Sequence, residues 1–294
     1  GVGATFERNR RDHPVMEEDW SFSPVTRGNR DRAAAQLGTS GSGNHFVEFG
    51  VFEPKAAGLG LEQRRYVALL SHSGSRGTGA AVCEHYSRLA QRRHPELDRD
   101  HRHLAWMDLD SDEGREYWAA MGLMGRYAAA NHALIHERIA RHLGAQVLFE
   151  VENHHNFAWI ERHGIAGRER EVVVHRKGAI PAADGVLGVI PGSMAAPAFL
   201  VRGRGAPASL RSAAHGAGRA MSRRRARQTL NWDDLRTLLN DRGVNLLSGG
   251  LDESPSAYKD ITRVMAEQGD LVEIAGRFDP RIVKMAGPGE RPED

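Results

Sequence analysis

Apolar residues recur along this chain with two different periods. "YVALLS" (66–71) is a continuous apolar run of strand length, and a shorter strand pattern precedes it at about 46–50. In "AAVCEHYSRLAQRR" the spacing changes, and Val82, Tyr86 and Leu89 fall on one helical face. The longest helical pattern runs from Glu113 to His142. Trp118, Met121, Met124, Tyr127, Ala128 and Leu134 recur in it at helical intervals, and Gly144 is the stop. Beyond it, "VLFEVE" (147–152), "EVVVH" (171–175), "GVLGVI" (185–190) and "FLVRG" (199–203) predict short strands with turn residues between them. A helix is predicted from near Ala217 to about Leu230. "DDLRTLLND" and "YKDITRVMAEQG" predict two more, and "LVEIAGRF" a late strand. Residues 1–40 are polar and read as irregular. Without regular βαβ alternation or an internal repeat, the pattern predicts an α+β fold: a mixed sheet with a helical excursion at about 79–143, in one domain over residues 1–294.

Composition adds bounds. The 294 residues, 40% hydrophobic and 27% charged, are those of a globular chain and exclude a disordered one. Forty Lys and Arg against 38 Asp and Glu exclude a strongly basic nucleic-acid binder. The arginines are clustered, however: "GRAMSRRRAR" (218–227) holds five in ten residues, a local patch suited to phosphates. The single cysteine, Cys83, excludes an intramolecular disulfide and fits a reducing, cytoplasmic setting; it reads as a buried structural residue. No apolar run approaches the roughly 18 residues of a membrane span, and no signal peptide is visible. The chain opens on Gly1 in ordinary-looking sequence, which reads as a fragment or processed product.

Four polar clusters sit where strands are expected to end. They are Asn44-His45 with Glu48, His72 in "SHSGSRGTG", "ENHHNFAW" (152–159) with His154, His155 and Asn156, and "HGAGR" (215–219) with "IPGSM" (190–194) upstream. Neutral imidazoles suit manganese, iron, cobalt or zinc, and the HExxH spacing of a single-helix zinc site is absent. Each histidine also has a plain structural reading, as a turn cap or a satisfied core residue. In "HGAGR" a helix starting just after the glycines would aim its amides and dipole at a phosphate. Arg219 and Arg223, four apart, would then share one helix face and grip successive phosphates. The alternatives are a glycine turn before a solvated basic helix, and an ordinary Pro-Gly turn at "IPGSM".

"QLGTSGSGNHFVEFG", "SHSGSRGTG", "NHHNFAW", "HRKGAIPA", "VIPGSM", "HGAGRAMSR", "DESPSAYKD" and "IVKMAG" occur in the order seen in the RtcB-type RNA ligases, the tRNA-splicing ligase family. The resemblance runs from the first residues to about Gly287. It implies an RtcB-like fold and a GTP- and manganese-dependent ligase. Such an enzyme joins RNA ends bearing a 2′,3′-cyclic phosphate or 3′-phosphate to a 5′-hydroxyl, through a guanylylated histidine and transfer of GMP to the RNA 3′-phosphate. By motif position the guanylylated residue is His215. The manganese ligands implied are His45, His72 and His155. Nucleotide contacts are implied for Asn44, His45, Phe46, Val47 and Glu48, and for His155 and Asn156. Further contacts fall on the turn of Pro191, Gly192, Ser193 and Met194, on the turn of His215, Gly216, Ala217 and Gly218, and on Lys284. Tyr258 would pack on guanine, and Arg76, Arg219 and Arg223 would hold RNA phosphates.

The chain departs from the family in two places. The family's manganese site also uses an Asp-x-x-Cys element upstream of "GNHF", and none stands here; loss of an N-terminal part accounts for that. Ala198 occupies the place of a serine that usually helps hold the nucleotide. Two other readings remain: a non-catalytic module that binds RNA ends, and a metal-dependent phosphohydrolase that opens cyclic phosphates.

Overall fold

The expected helical excursion is present in the computed structural model, which describes residues 13–287. The chain divides into two compact units. The first comprises, of the described residues, those up to Phe46 together with Ser71–Gly144. It is built on α1 (Pro24–Gln36), α2 (Arg76–Arg93) and α3 (Asp112–Leu143). α1 corrects the expectation of irregular chain over residues 1–40, of which residues 1–12 lie outside the described residues. Its apolar pattern is weak because only Thr26, Ala33 and Gln36 are buried, but the local start signal is complete. The Ser23 hydroxyl accepts from the Thr26 amide, and Pro24 stands where a missing N–H costs nothing.

Val82 and Tyr86 of α2 enter the core of this unit beside Trp20, Leu37, Leu123, Met124 and Tyr127, with Leu89 packed at its margin. Trp20 meets Tyr127 edge to face, and the Tyr127 hydroxyl donates to the Ala33 carbonyl at 2.7 Å. Cys83 is exposed, contrary to the buried reading. One residue past Val82 it is turned about 100° around the helix, away from the core face. α3 ends as expected: Gly144, at φ 62°, donates its amide to the carbonyls of Ala140 and Arg141.

The second unit comprises, of the described residues, Val47–Leu70 and those from Ala145 to 287. Its main sheet contains β1 (Phe46–Pro54), β2 (Tyr66–His72), β6 (Leu187–Ile190), β7 (Ala198–Gly203), β9 (Asn245–Ser248) and β10 (Val272–Met285). The order is β2-β1-β10-β7-β6, with β9 also on β10. β7 is antiparallel to both its neighbours and β9 is parallel to β10, so the sheet is mixed. "FLVRG" reads as one apolar run because both its faces are covered. Phe199 and Val201 join a cluster with Ile180, Ile190, Ile261 and Met265, while Leu200 points to the other side with Leu59 and Ala275. A hairpin of β3 (Asn156–Ile165) and β4 (Arg168–Lys177) and a short pair of β5 (Ala179–Pro181) with β8 (Ser212–Ala214) complete the β structure. Three short helices follow: α4 (Arg223–Thr229), α5 (Trp232–Arg242) and α6 (Ile261–Ala266).

Three elements differ from expectation. Residues 147–152 form no strand. Phe149 and Val151 pack on the Leu59 cluster at strand-like alternation, while Val147 and Leu148 are exposed. The helix expected from Ala217 starts only at Arg223. The backbone of the intervening turn bonds to another segment instead: Ala220 donates to the Ala257 carbonyl and Gly218 accepts from the Lys259 amide. The same pairing holds Tyr258 extended, so the helix expected over "YKDITRVMAEQG" is confined to Ile261–Ala266. Among the described residues no helix is long and apolar enough to cross a membrane.

Candidate functional site

In the first unit, the loop 38–45 and the turn 72–76 hang from one buried side chain. Asn131 of α3 accepts from the amides of Gly38 and Thr39 at 2.7 and 3.1 Å and donates to the Thr39 carbonyl and the Ser73 hydroxyl. His132 and His136, four apart on α3, bond the Ser73 amide and the Ser71 hydroxyl at 3.0 and 2.8 Å. These supports bring His45 and His72 together, with ring centroids 5.7 Å apart, and Phe46 lies 5.5 Å from His72. Arg76 is buried at the start of α2, in the left-handed region with φ 57°. Its Nη1 donates to the Ser40 carbonyl and to His45 Nδ1 at 3.0 Å, and its Nε to Thr39 Oγ1. A guanidinium only donates, so Nδ1 of His45 is the acceptor there. Gly41 is required where it is, since a Cβ would fall 1.8 Å from the Arg76 guanidinium. The amide oxygen of Asn44 is buried without a hydrogen-bond partner.

In the second unit, His215 stacks on His155 at 5.2 Å with 23° between the rings. Gly178, at φ 74°, binds both backbones, donating to the His155 carbonyl and accepting from the His215 amide. Burial pushes the His215 imidazole below its ordinary value, and the charge of Lys177 acts in the same direction against the Gly178 bond. This direction favours the neutral ring over the charged one. The turn that follows His215 is tied to the Pro191–Met194 turn by the Ala217 amide, which donates to the Pro191 carbonyl. Gly192 is needed in that turn because a Cβ would lie 2.5 Å from the Pro197 carbonyl oxygen. Ser193 Oγ is buried and unpartnered. Glu48 is 4% exposed, and burial pushes its carboxyl well above the usual carboxylate range. Lys284, at the end of β10, donates to the Ser248 hydroxyl and the Met285 carbonyl, both uncharged.

Arg219 and Arg223 do not share a helix face, because Arg219 precedes α4. They converge instead on a buried acid pair. Arg219 donates to the carbonyls of Met221 and Asp252, to Glu253 and to the Tyr258 hydroxyl. Arg223 bonds Asp252 and Glu253, and Arg227 bonds Asp252. Burial works to raise Asp252, but hydrogen bonds from Arg227 and Arg223 hold it below its ordinary value. The Tyr258 ring carries the Arg219 guanidinium 5.0 Å from its centroid, and its hydroxyl donates to Glu253.

The residues named from the sequence thus gather into His45, His72 and Arg76 in one unit, and His155, His215 and the two glycine turns in the other. Among the described residues no group of three or more His, Cys, Asp or Glu side chains stands together as a metal site. The donor types suit a nucleotide and a borderline divalent cation: paired imidazoles, and the buried oxygens of Asn44 and Ser193 that lack partners. Sequence reasoning passed over Asn131, His132, His136 and the acid pair. The i, i+4 spacing of His132 and His136 inside an apolar helix was the available signal.

The pattern of the RtcB family, described as tRNA-splicing ligase RtcB, matches residues 6–286. The chain is 32% identical to a tRNA-splicing ligase RtcB of Nanoarchaeum equitans, over 96% of this chain and 66% of that protein. It is 34% identical to the RNA-splicing ligase RtcB of Escherichia coli K12, over 81% of this chain and 58% of that protein. The RNA-splicing ligase RtcB of Mycobacterium tuberculosis is also 34% identical, over 85% of this chain and 64% of its own length. The family pattern covers nearly the whole chain, whose architecture is mixed α+β, and the chain belongs to the RtcB family. It spans about 58–66% of the length of these relatives.

Proposed function

We propose that this chain is the catalytic region of a GTP- and manganese-dependent RNA ligase that joins 3′-phosphate or 2′,3′-cyclic phosphate ends to 5′-hydroxyl ends. The observation that carries the reading is His215. Its neutral ring is backed by His155 and held by Gly178, beside two linked glycine turns that present the unpartnered hydroxyl of Ser193. In the proposed reaction a nitrogen of His215 attacks the α-phosphorus of GTP; an N–P bond forms, the α–β anhydride breaks, and pyrophosphate leaves. GMP then passes to the RNA 3′-phosphate, and the 5′-hydroxyl displaces it to close the phosphodiester.

Ser193 and the amides of the two turns receive phosphate oxygens, and Lys284 supplies a cation with only neutral partners. The resemblance implies nucleotide contacts from Asn44, Phe46, Glu48 and Asn156, with Tyr258 packing on guanine. Manganese, for which the resemblance implies His45, His72 and His155 as ligands, would neutralise charge developing on phosphate oxygens. Arg76, proposed to meet an RNA phosphate, is held meanwhile by His45 Nδ1, Thr39 and the Ser40 carbonyl. Arg219 and Arg223, fixed by the acid pair, line the path of the RNA end.

The test is incubation with GTP labelled at the α-phosphate and manganese, followed by denaturing gel electrophoresis. A covalent GMP adduct that disappears in His215→Ala is expected. RNA binding with no adduct in the unsubstituted chain would refute the ligase reading in favour of an end-binding module. Release of 3′-phosphate products alone would favour a cyclic phosphohydrolase.

A further inference from the structure

The five arginines of residues 218–227 are not equivalent. Arg219, Arg223 and Arg227 are held by Asp252 and Glu253, and Arg223 and Arg227 lie four apart on the face of α4 that meets these acids. Ala226, fully buried, fixes the adjoining face against the core. By helical rotation Arg224, Arg225 and Gln228 fall on the opposite side, and all three are exposed. Among the described residues these two adjacent guanidiniums have no carboxylate partner, while their three neighbours share Asp252 and Glu253.

We propose that this outward face of α4, carried by Arg224 and Arg225 with Gln228 between them, is a track for the phosphate backbone of RNA. It is separate from the acid-locked arginines. The idea extends the ligase reading and rests on it for the identity of the nucleic acid. Chemistry favours a flexible single strand: two guanidiniums on a short exposed helix can follow successive phosphates, and an uncharged donor beside them imposes no sequence. The acid pair acts as a divider. It spends three arginines on holding the turn after His215 to α4 and leaves two for the strand.

The experiment is fluorescence anisotropy of a short 3′-phosphorylated single-stranded oligoribonucleotide with the full chain across a salt series. Arg224→Gln/Arg225→Gln is compared with the unsubstituted chain and with Arg236→Gln, an exposed arginine of α5 paired to Asp233. Each lost phosphate contact on a single strand removes about 0.7 from the log–log salt slope, so the double variant is expected to be shallower by about 1.4. Arg224→Lys/Arg225→Lys should keep the original slope. An unchanged slope in the double glutamine variant, or an equal loss in Arg236→Gln, overturns the proposal. Thermal unfolding checks that the variants fold. GMP-adduct formation on the same preparations reports the ligase reading separately: an absent adduct with a shifted slope sinks that reading and leaves the RNA track standing.

Discussion

Glu48 carries an ionisable carboxyl into surroundings where its charged form is poorly solvated. In the unfolded chain it titrates near 4.5, while in the folded chain it holds its proton to higher pH. Between those two values the folded state binds more protons, so stability falls as pH rises, and it goes on falling until the folded carboxyl also ionises. Glu48→Gln removes that dependence. Without nucleotide, urea midpoints at pH 5 and pH 8 should show the variant gaining on the unsubstituted chain at the higher pH; equal differences at both would contradict the burial argument. A nucleotide donor facing the carboxyl would offset the same cost, so the substitution should weaken GTP binding while it stabilises the empty protein. Ala166 offers a second test at this scale. It occupies the two-residue turn between β3 and β4 at φ 51°, followed by Gly167 at φ 74°. Positive φ at both positions is what a tight hairpin asks for, and alanine resists it. Ala166→Gly should raise stability by about 0.5–1 kcal/mol, read by thermal denaturation.

Asn131 links α3 to two loops through one carboxamide, and its bonding capacity is fully used. Asn131→Ala would strand the amides of Gly38 and Thr39, and the expected loss is about 2–4 kcal/mol in urea unfolding. Asn131→Asp keeps the acceptor and loses the donor toward Thr39 and Ser73, so its loss should be smaller. If both variants matched the parent, the loops carrying His45 and His72 would have some other anchor. The turn after His215 shows the same dependence on a distant partner. It bonds to 257–259 and not to itself, and for that reason α4 starts late and Arg219 turns back onto Tyr258.

Of the imidazoles named for manganese, His45 pairs with His72 and His155 stacks on His215, and among the described residues no thiolate or carboxylate completes a group of three with them. Two divalent cations would bring charge that neutral nitrogens leave uncompensated. Calorimetric titration of these 294 residues with manganese should therefore show weak binding, and two tight sites would overturn that expectation. The sequence by itself determined the family, the strands expected at 66–71 and 199–203, and the long helix that stops at Gly144, because continuous apolar runs, helical spacing and a left-handed cap are local signals. Tertiary structure decided what those signals do not encode. Residues 147–152 carry an apolar run of strand length but form no strand. Cys83 is exposed because its neighbours claimed the core face. Asp252 and Glu253 select which arginines are held, although some 30 residues separate them in sequence from α4. A backbone group, a core face and a buried charge are each satisfied by whatever the fold brings to them, and that partner is chosen in space.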